Sequence, residues 1–429
     1  MTIFCLASIA NGAKGVFTPA IGVGAQYSDN IYLTHDNRES DIVLYASPSF
    51  TWDFSGERNT LTLFFSPTFR DYVKGSEANV THYNASLTSA IPVTQDTVFE
   101  LSDTYLLSDD PTEELEGATM RRTREVYQRN TTQMGLTSTF GPFDSAYVRC
   151  AYAVLRNDDS SLQDSDQFTP SAGITFRFLS AWLLSVDGSY TLGEFLNRQD
   201  QEQFTEGGAD DFDTLKTTIR LSRQINHFMD IYAQYSQSYM RYKGMSEDYD
   251  VSEPALGFSV AMDDAPLFSL QVGYYTMDRE TSKDESGMTI TGNLGRSFRF
   301  KKGSIHCKGS SGYEDSYLSA ENLGFSIYHQ AEAGLTYGVT PYLQYDFSIQ
   351  ARNDRYMNLG YKRIDTIYQA QTGISYLVMA WCTVRFAYEY LNVDVNTAHI
   401  KNQEHNDDYE ENRLILEAFF SPASHGEEQ

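Results

Sequence analysis

The chain has 429 residues and a formal charge of −26, with a mean hydropathy of −0.43. That acid balance excludes a nucleic-acid binder, because a phosphate backbone calls for a basic surface. No run of about 18 apolar residues occurs, so no transmembrane helix is expected. The 30 Tyr and 26 Phe make most of a 14% aromatic share. Such residues favour strands, and Tyr also favours membrane interfaces, where its ring meets lipid and its hydroxyl meets water.

Residues 1–13 carry a short apolar run followed by small residues, like the end of a secretory signal peptide without its basic start. Cys5 lies in this run. From there on, apolar and polar residues alternate. Leu343, Tyr345, Phe347, Ile349 and Ala351 interleave with Gln344, Asp346, Ser348, Gln350 and Arg352. A strand sends successive side chains to opposite faces, so this segment has one greasy face and one hydrogen-bonding face. The pattern predicts strands at 17–32, 41–54, 59–73, 81–93, 97–108, 125–140, 144–156, 167–178, 181–193 and 212–225. The second half adds 228–242, 250–262, 266–278, 287–300, 303–315, 324–339, 341–354, 362–377, 380–394 and 408–421. Most are about ten residues or longer, the length a tilted strand needs to cross a bilayer.

Short connectors such as Ser55-Gly56-Glu57-Arg58, Asn226-His227 and Val339-Thr340-Pro341 alternate with longer polar ones at 109–124, 157–166, 194–211 and 395–407. Short turns on one side and long loops on the other mark an outer-membrane barrel. The predicted fold is all-β: one antiparallel transmembrane β-barrel of about twenty strands, with eighteen the alternative, over residues 14–429. Short turns face the periplasm and long acidic loops face outward. The expected location is the bacterial outer membrane, with its lipids as the first partners.

A charge on the lipid face costs about 2–4 kcal/mol near the midplane, so charged residues fix the sidedness. Leu44, Phe50 and Trp52 face lipid, while Tyr45, Ser47, Ser49, Thr51 and Asp53 face the lumen. The last strand sets Leu414, Leu416, Ala418 and Phe420 against inward Arg413 and Glu417. The residues expected to line the pore are Arg70, Arg149, Arg177, Arg220, Gln234, Gln344, Asp346, Arg352, Gln369, Gln371, Arg385 and Glu389. Asp103 breaks the rule, being in phase with Phe99 and Leu101; a place near the rim or a β-bulge would account for it. Pro48 and Pro67 predict a weakened ladder in mid-strand. The inward glycines Gly22, Gly24, Gly173, Gly257, Gly273, Gly334 and Gly373 are expected to permit curvature. Cys150, Cys307 and Cys382 fall on the lipid phase and read as small hydrophobes rather than disulfide partners.

Tyr27-Ser28-Asp29-Asn30-Ile31-Tyr32, Ser47-Pro48, Gly56-Glu57-Arg58, Leu61-Thr62-Leu63, Ser66-Pro67 and Tyr72 together resemble the outer-membrane barrels of the β-barrel porin 2 family. The resemblance is best over residues 17–110. It implies an integral outer-membrane barrel associated with exopolysaccharide secretion, with polysaccharide and periplasmic export components as further partners. A structural or adhesive barrel without transport, or a general diffusion porin, is the alternative.

No catalytic motif of the hydrolase-elbow, zinc or phosphate-loop kind is present, so no enzyme, cofactor or metal site is expected. No EF-hand spacing occurs, and Gly207-Gly208-Ala209-Asp210-Asp211 only suggests calcium. His306 reads as a pore-lining polar residue. The inward face is rich in Gln, Ser and Thr, which exchange hydrogen bonds with water or hydroxyl-rich solutes. Tyr45, Tyr147, Tyr232 and Tyr275 are candidates for stacking on sugar rings. Asp109–Glu116 and Asp158–Asp166 are expected to crowd one mouth and give a weak cation preference.

Overall fold

In the computed structural model the described residues are 14–422, apart from 76–79, 111–123, 159–163, 180, 197–210, 245, 263–264, 295–301, 317–323, 357–361 and 399–407. They form one sheet of twenty strands. The first ten are β1 (Lys14–Ser28), β2 (Asp41–Ser55), β3 (Thr60–Tyr72), β4 (Thr81–Pro92), β5 (Thr97–Ser108), β6 (Tyr127–Thr139), β7 (Ser145–Asn157), β8 (Asp164–Leu179), β9 (Trp182–Leu196) and β10 (Phe212–Asn226). The rest are β11 (Met229–Tyr242), β12 (Tyr249–Met262), β13 (Ala265–Arg279), β14 (Glu285–Leu294), β15 (Gly303–Ser316), β16 (Gly324–Gly338), β17 (Leu343–Tyr356), β18 (Lys362–Met379), β19 (Cys382–Ala398) and β20 (Tyr409–Phe420). Every pairing is antiparallel between neighbours, and β1 pairs with both β2 and β20, so the sheet closes. Closure leaves no exposed edge, which a sheet in lipid requires. No helix among the described residues is long and apolar enough to cross a membrane; the strands do the crossing.

The predicted faces are the observed ones. Leu44, Phe50, Trp52, Phe65, Phe347, Leu414 and Leu416 stand exposed on the outer wall. Tyr27, Tyr83, Tyr152, Tyr190, Tyr239, Tyr274 and Tyr368 are exposed outward at the end with the long connectors. Trp52, Trp182 and Trp381 lie by the short turns at the other end. Two aromatic belts bounding an apolar band are what the two bilayer interfaces select. Replacing Phe65 by Arg on this band is expected to lower the unfolding free energy in lipid vesicles by about 2–4 kcal/mol. The inward Ser49→Arg should cost far less in the same titration, and equal losses would mean the faces are reversed.

The mid-strand prolines act as expected. The β2–β3 ladder pairs Ala46 with Phe69 and next Phe50 with Phe65, with a break at Pro48 and Pro67. Ser47 and Thr68 bridge that break through their hydroxyls at 2.9 Å. The β8–β9 ladder is broken at Pro170 and the β12–β13 ladder at Pro254 in the same way. Each lost rung follows from the missing proline N–H.

Of the two accounts expected for Asp103, the β-bulge is not found. The β4–β5 and β5–β6 registers run through it without a shift, so no bulge turns it inward. It stays on the outward phase, where Thr132 donates a hydrogen bond at 2.5 Å and Asn130 another at 3.3 Å. Partnered donors on β6 take the place of water for this carboxylate.

The inward glycines serve close approach. A Cβ on Gly173 would lie 2.4 Å from the Tyr147 ring, and one on Gly257 would lie 2.3 Å from the Tyr232 ring. Large inward side chains therefore lie flat across the glycine of the adjoining strand.

Candidate functional site: the outer end of the lumen

The lumen changes character along its length. Near the short turns its wall is polar, as the sequence predicts. Near the long connectors the inward positions turn apolar. Phe195, Phe212, Met240, Tyr249, Val251, Tyr275, Met277 and Phe325 form one buried cluster. Leu33, Ile367, Leu391, Val393, Val395 and Tyr409 form a second, and Ile31, Val43 and Tyr72 a third. These residues were missed in the sequence, yet it holds a signal for them. In β19 the apolar positions are Val384 and Phe386, then Leu391, Val393 and Val395. The apolar phase switches faces although the β19–β20 register has no shift. β12 shows the same switch between Tyr249 and Val251 at one end and Leu256, Phe258 and Val260 at the other.

Beside the second and third clusters sits a buried charged assembly. Asp109 and Asp110 follow β5 and are only 3% and 2% exposed. Arg413 of β20 holds Asp110 at 3.3 Å and Glu411 at 2.8 Å. Arg70 of β3 lies 3.5 Å from Asp110 and 3.8 Å from Asp109. His82 of β4 meets Asp109 at 2.7 Å. Arg124, just before β6, lies 3.8 Å from Asp109 and donates to the carbonyl of Ile31 at 2.6 Å. Tyr72 donates to Asp109, and Tyr127 donates to the carbonyl of Asp110. Both ends of the β5–β6 connector are thus pinned inside the barrel. Burial pushes the Asp109 carboxyl upward, but the His82 hydrogen bond and the Arg124 and Arg70 charges outweigh it, leaving the group below its usual range.

This overturns the expectation that Asp109 and Asp110 crowd a negative mouth. Both carboxylates are neutralised inside the wall. Asp164 and Asp166 are also engaged, the first accepting from the Asn157 amide and the second pairing with Arg156 at 2.6 Å. Residues 111–123, with Glu113, Glu114 and Glu116, and residues 159–163 lie outside the described residues, as do 207–210 of the Gly-Gly-Ala-Asp run.

The motif at the end of β1 acts in the same place. Ser28 donates to Glu411 at 2.6 Å. The Asn30 side chain donates to the carbonyls of Thr34 and Glu410 and accepts from the Thr34 amide. Asp29 accepts from both the backbone and the side-chain amide of Asn412, each at 2.7 Å. The β1–β20 ladder spans eight residue pairs, against fifteen for β1–β2. The motif clasps the short closing seam at its outer end.

The twelve residues expected to line the pore alternate with the exposed apolar residues of their strands. They do not share one environment. Arg70 is buried against Asp109 and Asp110. Arg352 is buried too, bonded to Asp354 at 2.8 Å and Glu314 at 2.6 Å. A lumenal reagent has little access to either. Arg220 donates to Gln234 at 2.6 Å and lies over the Tyr232 ring. Arg149 lies over Tyr147, 3.6 Å from Glu100, and Arg177 covers the Phe143 ring. Gln344 donates to Asp346 and Gln371 to Glu389. Gln369 borders the same cavity as Gln371, and Arg385 stands opposite Glu417. His306 lies 3.3 Å from Glu332 on the exposed lumen wall.

The tyrosines expected to stack on sugars are largely committed. Tyr147 and Tyr232 sit between a glycine and a guanidinium. Tyr275 is buried among Tyr313 and Phe325. Tyr45 lies across Gly24.

Residues 14–171 match the family described as Putative beta-barrel porin 2. No curated protein matches the chain. Among solved structures the chain is similar to the siderophore receptor PirA of Pseudomonas aeruginosa, at 10% identity and a TM-score of 0.51, covering 94% of this chain and 80% of that one. It is also similar to OccK2 (OpdF) of the same organism, at 12% identity and a TM-score of 0.45, covering 95% and 98%. The chain is a bacterial outer-membrane β-barrel. The PirA likeness bears on the fold alone. The family match spans β1 to the middle of β8, which holds the Tyr27–Tyr32 motif and Asp109–Asp110. Their partners Glu411 and Arg413 lie beyond it.

Proposed function

We propose that the barrel is a channel for hydrophilic solutes, closed at its outer end by the buried charged assembly around Asp109 and Asp110 and by the apolar clusters. The observation that carries this reading is the split lumen. A water-compatible wall of Ser, Thr, Gln and Arg occupies the periplasmic part, and a buried ionic anchor crosses into the outer part. A purely structural barrel has no need of a polar interior cavity. At twenty strands the barrel exceeds the roughly 16–18 that already leave an aqueous channel. Passage is therefore limited by what fills the outer end.

Export of a polysaccharide is the narrower reading. Its support is the match of residues 14–171 to the β-barrel porin 2 family together with the hydroxyl- and amide-rich wall. Uptake of small solutes uses the same wall and is supported equally by it.

Planar-bilayer recording on the purified full chain tests the channel reading. The wild type is expected to show small or rare openings, and Asp110→Asn a larger conductance. Liposome swelling with neutral sugars should follow the same order. Silence from both proteins would overturn the reading in favour of a structural or adhesive barrel.

A further inference from the structure

Directly below the second apolar cluster, the wall of β16–β19 holds a cavity of about 280 Å³. Glu332, Ser348, Gln350, Gln369, Gln371 and Glu389 border it. The register explains why they converge. Glu332 stands opposite Gln350, and Gln350 opposite Gln369. One rung lower, Ser348 stands opposite Gln371, and Gln371 opposite Glu389. Two rows of inward polar groups, one pleat apart, therefore face the same space. Leu391, Glu411 and Arg413 border the cavity as well, and Leu391 belongs to the buried cluster above it.

We propose that this cavity is a binding subsite for one unit of a neutral, polyhydroxylated solute, a hexose residue of a glycan being the fitting class. This rests on the channel reading, because the subsite opens on the lumen. A sugar hydroxyl both donates and accepts. Amides offer both roles on one rigid plane, and carboxylates accept from two directions. Three amides, a hydroxyl and the carboxylates of Glu332 and Glu389 thus match the edge of a pyranose ring, while Leu391 matches its C–H face. The volume equals roughly nine waters, each taking about 30 Å³ of liquid. Binding one ring there releases most of that water.

The fixed charges argue for a neutral unit. Glu332 has His306 at 3.3 Å. Glu389 accepts from Gln371 at 2.8 Å and faces Arg413 across the β19–β20 ladder. Arg413 is itself ion-paired with Asp110 and Glu411. A uronate would meet three carboxylates, Glu332, Glu389 and Glu411, against Arg413, which already pairs with Asp110 and Glu411. An amino sugar would compete with partners already in place.

The test is calorimetric titration of the full detergent-solubilised barrel with cellotetraose, a tetra-uronate and a tetra-glucosamine. Saturable binding of cellotetraose, weaker by about tenfold or more in Gln369→Leu and in Gln371→Leu, is expected. The uronate should bind at least tenfold more weakly than cellotetraose. Gln344→Ala, elsewhere on the lumen wall, should leave the affinity unchanged. Ser348→Ala provides a milder second variant in case either leucine substitution disturbs folding, and its expected loss is about threefold. No saturable binding of cellotetraose, equal binding by all variants, or preference for either charged probe overturns the proposal. Conductance without binding rejects the subsite and spares the channel. Binding without conductance in either the wild type or Asp110→Asn rejects the channel and keeps the subsite.

Discussion

Replacing Arg413 by Met is expected to produce the largest functional change of any single substitution in the outer anchor. Arg413 bridges Asp110 at 3.3 Å and Glu411 at 2.8 Å and stands opposite Glu389. Removing it leaves buried carboxylates without their shared cation. Breaking a buried pair on one side costs about 3–5 kcal/mol. Urea unfolding in lipid vesicles should show a loss of that order, and single-channel conductance should rise several-fold as the anchor at Asp109 and Asp110 loosens. Asp110→Asn should cost less, because Arg413 keeps Glu411. Loss of stability without a gain in conductance would mean the anchor braces the wall and does not gate it. The acid response is set by Asp109. Its carboxyl lies below the ordinary value in the folded protein. Its stabilising contribution is complete above the unfolded value, about 3.9, and is lost as pH falls through the depressed folded value. Conductance should therefore stay flat from neutral pH to about 4 and rise only below it. An opening step near pH 6 would move control away from Asp109.

The barrel was legible because the lipid-facing stretches of its strands obey one rule. Lipid on one side and water on the other force a period of two, and a period of two reads directly as face. The Pro48 and Pro67 break was legible for a similar reason, since a missing donor acts wherever the residue lies. The anchor was not legible. Asp109-Asp110 reads as a solvated acidic loop until Arg70, His82, Arg124 and Arg413 are seen to converge on it, and Arg413 lies more than 300 positions away. Sequence spacing carries no information about a chord across a closed barrel. The apolar outer lumen was missed for a different reason. A single alternation rule, applied along the whole strand, gives no reason to single out Val43, Val251 and Val393, although they belong to a second pattern near the long connectors. Phase alone groups the proposed lining residues, but phase cannot separate Gln369, beside a cavity, from Arg352, buried in an ion pair.

The apolar filling makes its own prediction, independent of the charges. Phe325 is fully buried, stacked on Tyr313 at 5.5 Å and set edge-on to Tyr249 at 5.6 Å. Tyr275 lies 6.3 Å away, so three aromatic partners surround one ring. Truncation to Ala removes that shared neighbour and is expected to cost about 3–5 kcal/mol. If the cluster is part of the barrier to water and solute, Phe325→Ala should also raise the rate of sugar entry in liposome swelling. Phe65→Ala supplies the control, since its ring faces lipid and leaves the lumen intact. It should lose stability with no change in permeation. Combining Phe325→Ala with Asp110→Asn separates two arrangements of the barrier. A series arrangement, in which one solute passes both the cluster and the anchor, predicts that either single change leaves the other barrier in force and the pair opens more than the sum. A parallel arrangement predicts simple addition, because each change opens its own route through the outer end.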